Sequence, residues 1–577
     1  MSSVEKAKKI IKQKESSYDS GAGLLKVHVT PNYHSNLPEG DYHEIRASSE
    51  FAAGIFYAGI EELYDTANEV LKKVVSLQRK TGDLRGLWSY YYEESLEQMH
   101  APDWNFADFN AIPILNILKD HKDKLKDGMY EILCDASVNA CHAIMKRNLT
   151  VIYTNPTVMD IFVTVVCGEI CKRPEFISYG KEKLDRFYRH IMSEKTFDEY
   201  NCPGYSMLIA EIFSIMLRHI KSQDIIEKVS ELNYIVWEML GRHFHFKTGE
   251  IAGPNIRRYV NFLTQEERTK FKNAAGVNII SDEDEQPGML SLMYAPKCPE
   301  ELLYLFNRSH SEDYSHLFTK GSNYPWFNQP NIDTLFMTED YSLGSFSLMD
   351  GWNQRSSLTA YIGDRQEKCC VRLRILHDFY DFSSGAVNTV QHKGAAVTVV
   401  NFHTNHGDTH VDLDPIQDGT IKASDLRVRF QIEANNSSAV KKIKYKKEKA
   451  GYSFDILGTP VSISFPFAEI SGGNPYMEIS YSANEIFADM ILYSGEPKQI
   501  NLKKLNSLCA VATISVGENQ LIVKDIKTYD DYISVFAAIN GKNAEIKALK
   551  KPDAQITSTM STSLSVDGER FEKISDI

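Results

Sequence analysis

Near residue 335 the apolar residues of the chain change their spacing from three-to-four to two, and the spacing does not change back. A helix turns every 3.6 residues and a strand alternates its faces, so this switch demands helices first and strands afterwards rather than one wound α/β sheet. Upstream, the segments Ser49 to Val75, Ala107 to Leu118, Lys124 to Lys146, Pro156 to Cys171, Gly180 to Met192, Pro203 to Ile220 and Ile225 to Leu240 carry the helical spacing. Downstream, LGSFSLM, SLTAYIG, CVRLRIL, AAVTVVNF, LRVRFQIE, VSISF, MEISYS, IFADMILYS, AVATISV and YISVFAAI read as strands between Gly, Asn and Asp turns. Residues 246–334 read as a mixed connector. A chain of 577 residues also exceeds what one core usually serves. The expected division is an N-terminal extension over 1–44, a helical domain over 45–320 and an antiparallel β domain over 321–577, a multidomain α then all-β chain.

Charge and cysteine usage narrow the function classes. With 43% apolar and 24% charged residues, and no apolar run of about 18 residues, nothing points to a membrane span. A net charge of −13 argues against a nucleic-acid partner, although a cleft can oppose the global sign. The start, MSSVEKAKKIIKQKESSYDSG, lacks the apolar core of a secretory signal, so a cytoplasmic location is expected. Nine cysteines, an odd number and several inside apolar helical patterns, fit reduced thiols. Cys167 and Cys171, four residues apart, read as core rather than as metal ligands. Motifs for nucleotide binding, zinc proteases and serine hydrolases are missing from the sequence.

One regularity points to a site. Polar stretches holding Asn105, Asn155, Asn201 and Asn255 recur just ahead of helices, at spacings of 50, 46 and 54 residues. That period suits a helical hairpin with its loops, so stacked hairpins in a ring are expected, with inner helices starting at one rim. Pro156 and Pro203 stand where they would open a helix, with Asn155 and Asn201 or Cys202 as caps. Capping accounts for the asparagines, but it does not account for Asp103, Trp104, Glu199, Tyr200, Tyr205, Arg257 and Tyr259 beside them. A shared cleft at the rim does.

The blocks PDWNFADFN, KRNLTVIYTNP, FDEYNCPGY, GEIAGPNIRRY and GWNQRSSLTAY resemble blocks in heparinase II/III-like carbohydrate-active proteins. The resemblance implies a complete or incomplete (α/α)6 toroid followed by an antiparallel β-sandwich, and a polysaccharide lyase-like activity. Such relatives carry a histidine where this chain has Asn255, which puts a histidine base in doubt; Arg257 and Tyr259 keep their places.

The chemistry implied is β-elimination on uronic-acid sugars. It needs a neutralised carboxylate, a base for the C5 proton and an acid for the leaving oxygen. Asn105, Asn155 or Asn201 with Arg257 suit the first task; Tyr200, Tyr205 or Tyr259 suit the others if a cation lowers the phenol pKa. Trp104 and Tyr153 offer faces to sugar rings, and Trp352, Gln354 and Arg355 reach the cleft from the strand domain. The rival is a glycoside hydrolase pairing Glu199 with Asp103 or Asp108. A third reading is a carbohydrate-binding protein that has lost its base. His392, His403 or His406 could replace that base, while His403, His406, Asp408 and His410 would instead suit a structural zinc ion. The sequence points to no particular cofactor, and leaves room for a structural divalent metal in the β domain. The expected partner is an oligosaccharide or polysaccharide; nucleic acid and membrane are not, and self-association is left open.

Overall fold

The computed structural model describes residues 2–32, 34–307, 312–318, 331–405, 416 and 418–554, and the backbone of 561–566 and 569–570. Two compact units emerge, and they interleave along the chain. The first comprises Met1–Phe197, Tyr205–Trp237 and Gln265–Pro299; the second comprises Asp198–Gly204, Glu238–Thr264 and Glu300–Ile577. The division therefore differs from the single cut expected near residue 320. Short turns at 198–204 and 238–264 belong with the strands because their backbone and side chains pair there.

The first unit is built of helices: α1 (Ser3–Glu15), α2 (Ile45–Ala58), α3 (Tyr64–Ser76), α4 (Phe106–Asp120), α5 (Met129–Arg147), α6 (Thr154–Ile170), α7 (Pro174–Glu194), α8 (Pro203–His219), α9 (Gln223–His243), α10 (Gln265–Ala275) and α11 (Met289–Met293). The expected helix over Ser49 to Val75 is two, broken at Gly59, whose φ of 67° ends α2 in the left-handed cap that glycine adopts without strain. Helices α2/α3, α4/α5 and α6/α7 pack as hairpins. Their burial differs as the sequence pattern demands. Helix α6 buries 15 of its 17 residues, whereas α7 buries 6 of 21, so α6 lies inside and α7 outside. Side chains of α2, α4, α8 and α11, among them Arg46, Phe109, Leu208 and Met289, line one small cavity, so these helices share an interior. No described helix is long and apolar enough to cross a membrane.

The second unit is antiparallel β, and the stretches read as strands form them, except that LGSFSLM breaks at Ser347 into two strands of different sheets. A nine-stranded sheet runs in the order Tyr476–Tyr481, Glu485–Asn501, Thr420–Ala434, Lys368–His377, Leu358–Gly363, Tyr341–Phe346, Asn331–Met337, Glu312–Phe318, with Tyr380–Asp381 beside Lys368–His377. A seven-stranded sheet runs Lys444–Glu448, Gly451–Ile456, Thr459–Ile470, Leu508–Val516, Ala395–Phe402, Gly385–His392, Leu348–Asp350. The two face each other. Ser345 donates to Gln391 at 2.7 Å across them, and the rings of Phe430 and Phe465 lie 5.8 Å apart between them. A third sheet of five strands begins at Leu521–Thr528. In this sandwich, central strands such as Ala395–Phe402 are buried along their whole length.

His245, in the short hairpin Phe244–His245/Glu250–Ile251, ties that hairpin to the sheet. Its Nε2 lies 2.9 Å from the Thr338 carbonyl, which can only accept, so Nε2 carries the proton and Nδ1 accepts from the Thr248 hydroxyl at 2.8 Å. Burial pushes its pKa down to about 4. The unfolded chain, with an ordinary histidine near 6.5, binds more protons between these values, so stability should fall as pH drops from about 6.5 to 4 and then level off. The expected contribution is up to roughly 3 kcal/mol at about 1.4 kcal/mol per pH unit. Chemical denaturation of His245→Gln across this range should show a shallower loss than the parent chain; an equal slope would remove the histidine as its source.

Candidate active site

No side-chain cap bond opens α4 or α6. Asn105 stands at the N-cap of α4 without a side-chain cap bond; instead its Oδ1 accepts from Arg147 at 2.8 Å. Asp103 supplies the local turn, its Oδ1 accepting from the Asn105 N–H at 2.9 Å and its Oδ2 from the Tyr90 hydroxyl at 2.7 Å. The N-cap of α6 is Tyr153, and Asn155 lies within the first turn, nearly fully buried. Asn201 takes a left-handed φ of 51°, and its Nδ2 donates to the carbonyls of Ala252 at 2.7 Å and Pro254 at 3.0 Å. It is a staple between two loops of the second unit.

In the first unit, Asp108 proves to be wholly buried, together with residues the sequence pattern did not single out. Arg147, at the end of α5, donates to Asp108 at 2.8 Å and to Asp160 of α6 at 2.6 Å. Lys183 of α7, also fully buried, donates to the other oxygen of Asp160. Burial first, and then the Asp160 charge, raise the Asp108 carboxyl well above its ordinary value, against the pull of Arg147. Two carboxylates and two cations thus lock α4 to α7, and Asp108 with Asn105 belongs to this lock rather than to an open sugar-facing surface. Trp104 is half-buried with the Lys146 ammonium 5.8 Å from its ring centre, and Tyr153 is also half-buried.

The second unit holds a different cluster. The guanidinium of Arg257 is gripped from two sides, Nε donating to Gln354 Oε1 at 2.9 Å and Nη1 to Glu199 Oε1 at 3.2 Å. Its carbon lies 5.6 Å from the centre of the Trp352 ring, and that of Arg355 lies 5.2 Å from the same ring. Arg355 is in turn paired with Asp350. The backbone explains why residues so far apart in sequence meet. Asn255 and Ser356 exchange both N–H···O bonds, at 3.1 and 3.0 Å, Ile256 N–H donates to the Tyr200 carbonyl at 3.2 Å, and Arg258 N–H to the Gln354 carbonyl at 2.8 Å. Cys202 Sγ accepts from the Arg257 N–H at 2.9 Å. Asn255 is 1% exposed and its Oδ1 has no hydrogen-bond partner among the described residues. A buried acceptor left open is costly unless something else donates to it.

Space for the 253–257 segment comes from one glycine. A Cβ on Gly344 would stand 2.5 Å from Gly253 Cα and 2.8 Å from Pro254 Cδ. Gly344→Ala should therefore push the segment carrying Asn255 and Arg257 outward, costing about 1–3 kcal/mol by overpacking against backbone. Thermal unfolding would register it, and a variant as stable as the parent would show that the segment yields freely.

Tyr200, expected as a proton-transfer group, is instead enclosed by the protein. It is fully buried, with its hydroxyl 2.5 Å from Asp333 Oδ2 and 3.0 Å from His243 Nε2, and His243 Nδ1 is 2.8 Å from the Met239 carbonyl. Burial and then the Asp333 charge raise its pKa, opposite to what a base needs. The Tyr200–His243–Asp333 triad instead anchors the turn that carries Glu199. The sequence hints at it only faintly, through a histidine closing an apolar helix in GRHFHF. Tyr205 is half-buried on the first turn of α8, and Tyr259 is 65% exposed. His403 is 2% exposed inside the sandwich, its N–H donating to the Ser384 carbonyl at 2.7 Å, so it is not part of a solvated loop. His392 is half-buried, with its pKa lowered first by burial. His406, Asp408 and His410 lie outside the described residues. Among the described residues no group of three His, Cys, Asp or Glu side chains could hold a metal ion.

Comparison with known proteins adds the following. A family described as a domain of unknown function, DUF8769, matches residues 7–269. No curated protein matches the chain. Among solved structures, the chain is similar to heparinase III, with 10% identity over 92% of this chain and 86% of that one at a TM-score of 0.47. It is also similar to a heparinase III gene product, with 9% identity over 87% and 83% at a TM-score of 0.33. The methylated-lysine form of the latter gives 10% identity over 93% and 90%, also at 0.33.

Proposed function

We propose that the chain is a carbohydrate lyase that cleaves uronic-acid-containing oligosaccharides or polysaccharides by β-elimination. The supporting observation is the set of two guanidinium groups about the half-buried Trp352, one of them held by Glu199 and Gln354. Aromatic rings suit sugar faces, and a gripped guanidinium suits a carboxylate, because its donors are aimed before the ligand arrives.

In this reading Arg257, with Arg355, neutralises the uronate carboxylate and so makes the neighbouring C5 proton acidic. Glu199 and Gln354 position Arg257. A base takes the C5 proton, its electron pair becomes the C4–C5 double bond, the C4–O bond breaks, and the leaving oxygen is protonated. Tyr259 is assigned the proton transfers; Tyr205 is the alternative carried by sequence alone.

Incubation with a panel of uronic-acid oligosaccharides, recording ultraviolet absorbance of the unsaturated product and reducing ends in parallel, tests this reading. Both signals rising together support it. Reducing ends without absorbance would make the chain a hydrolase, and silence in both across the panel would leave a binding protein.

A further inference from the structure

Although the chain carries a net charge of −13, residues 441–449 place six lysines, Lys441, Lys442, Lys444, Lys446, Lys447 and Lys449, against one carboxylate, Glu448. They surround Lys444–Glu448, the outermost strand of the seven-stranded sheet, on which every residue is exposed. Of the six, Lys442 pairs with Glu367 and Lys446 with Glu448 at 3.2 Å, while Lys444, Lys447 and Lys449 make no ion pair with described residues. Like-facing residues of a strand repeat about every 7 Å, so Lys444 and Lys446 lie on one face of the edge strand and Lys447 and Lys449 on the other, which they share with Tyr445.

Lysines on an edge strand ordinarily deter edge-to-edge association, and alone they would mean no more. The aromatic residues among them have no such purpose. Tyr445, 42% exposed, rests on Phe454 at 5.9 Å and on buried Tyr452 at 6.3 Å, both on the adjacent strand. Its ring lies 6.1 Å from that of Tyr481, 54% exposed, on the outermost strand of the nine-stranded sheet. The sandwich edge thus presents the supported ring of Tyr445 beside exposed Tyr481, with Lys447 and Lys449 on the face of Tyr445 and Lys444 and Lys446 on the other. Exposed aromatic rings without cations suit neutral glycans, and cations without rings suit any polyanion. Together they select a chain that has both ring faces and regularly spaced negative charge.

We propose that this edge is a non-catalytic binding strip for anionic polysaccharide, which retains a long substrate while the Arg257 cluster acts on it. The substrate role rests on the lyase reading; the binding does not. The strip binds by ammonium–carboxylate pairs along Lys444–Lys449 and by sugar rings stacked on Tyr445 and Tyr481. Its affinity falls with salt, since the lysines are solvent-exposed.

Affinity electrophoresis of the full chain through gels containing polygalacturonate, with dextran as the neutral reference, tests the proposal. Retardation by polygalacturonate alone is expected, weakened at least tenfold in K444E/K446E/K447E and severalfold in Y445A/Y481A. Unchanged retardation in the charge-reversed variant would overturn the proposal, as would tighter capture by single-stranded DNA or by anionic phosphatidylserine vesicles. Turnover of a uronate trisaccharide is measured on the same preparations. Retention without turnover in the parent would sink the lyase reading and leave the strip, whereas turnover without retention would do the reverse. Circular dichroism of each variant confirms its fold.

Discussion

Asp160→Ala is expected to destabilise the helical unit by about 3–5 kcal/mol, the usual cost of stripping one partner from a buried ion pair. Asp160 is wholly buried between Arg147, 2.6 Å from one oxygen, and Lys183, bonded to the other. Removing the carboxylate leaves two cations in the interior with only Asp108 to oppose them, and it unties α5 and α7 from α6. The ordinary objection is that any core truncation destabilises by loss of contacts. The double variant Asp160→Ala/Lys183→Met separates the two causes, since it removes an anion and a cation together and should recover a substantial part of the loss. Urea denaturation followed by circular dichroism measures both. A single variant within 1 kcal/mol of the parent, or a double variant that recovers nothing, would show that the charges are not what holds these helices.

The second large effect concerns turnover. Arg257→Ala should lower kcat/KM on a uronate substrate by about 100- to 1,000-fold, the range found when one aimed donor to a developing anion is removed. Arg257→Lys keeps the charge but loses the planar fork that meets Gln354 and Glu199 together, so a loss of at least about tenfold is expected there too. Glu199 is 5% exposed, so the alanine variant takes one cation from a buried carboxylate, and turnover must be expressed per folded molecule. Arg257→Ala/Glu199→Gln removes that burden and should regain stability without regaining activity. If activity returned with it, Arg257 would act only by holding the turn in place.

Much of the architecture was legible because it depends on local period. Helical spacing before about residue 245 and alternation after about 335 are properties of short windows, and the strands follow them closely. Glu199, Arg257, Trp352, Gln354 and Arg355 could be singled out because each stands in a dense polar block, and the structure brings these five together. Asp108 shows what the sequence withholds. Its partners Arg147 and Asp160 are 39 and 52 residues away and look like ordinary helix residues, so a buried ion lock reads as a rim carboxylate. Tyr200 misleads in the same way: its fate is decided by Asp333, 133 residues on, in a strand that gives no sign of holding a buried charge. The asparagines misled for a different reason. A side-chain amide ahead of a helix can cap it or can bond elsewhere, and only the long-range partner, Arg147 for Asn105 or the Ala252 carbonyl for Asn201, decides which.

In the proposed lyase the guanidinium groups about Trp352 receive the carboxylate of a sugar acid. A crystal structure of Tyr259→Phe soaked with a saturated uronate oligosaccharide tests this. A sugar carboxylate within hydrogen-bond reach of Arg257, with its ring against Trp352, is the predicted result; a sugar bound with Arg257, Arg355 and Trp352 all untouched would contradict it.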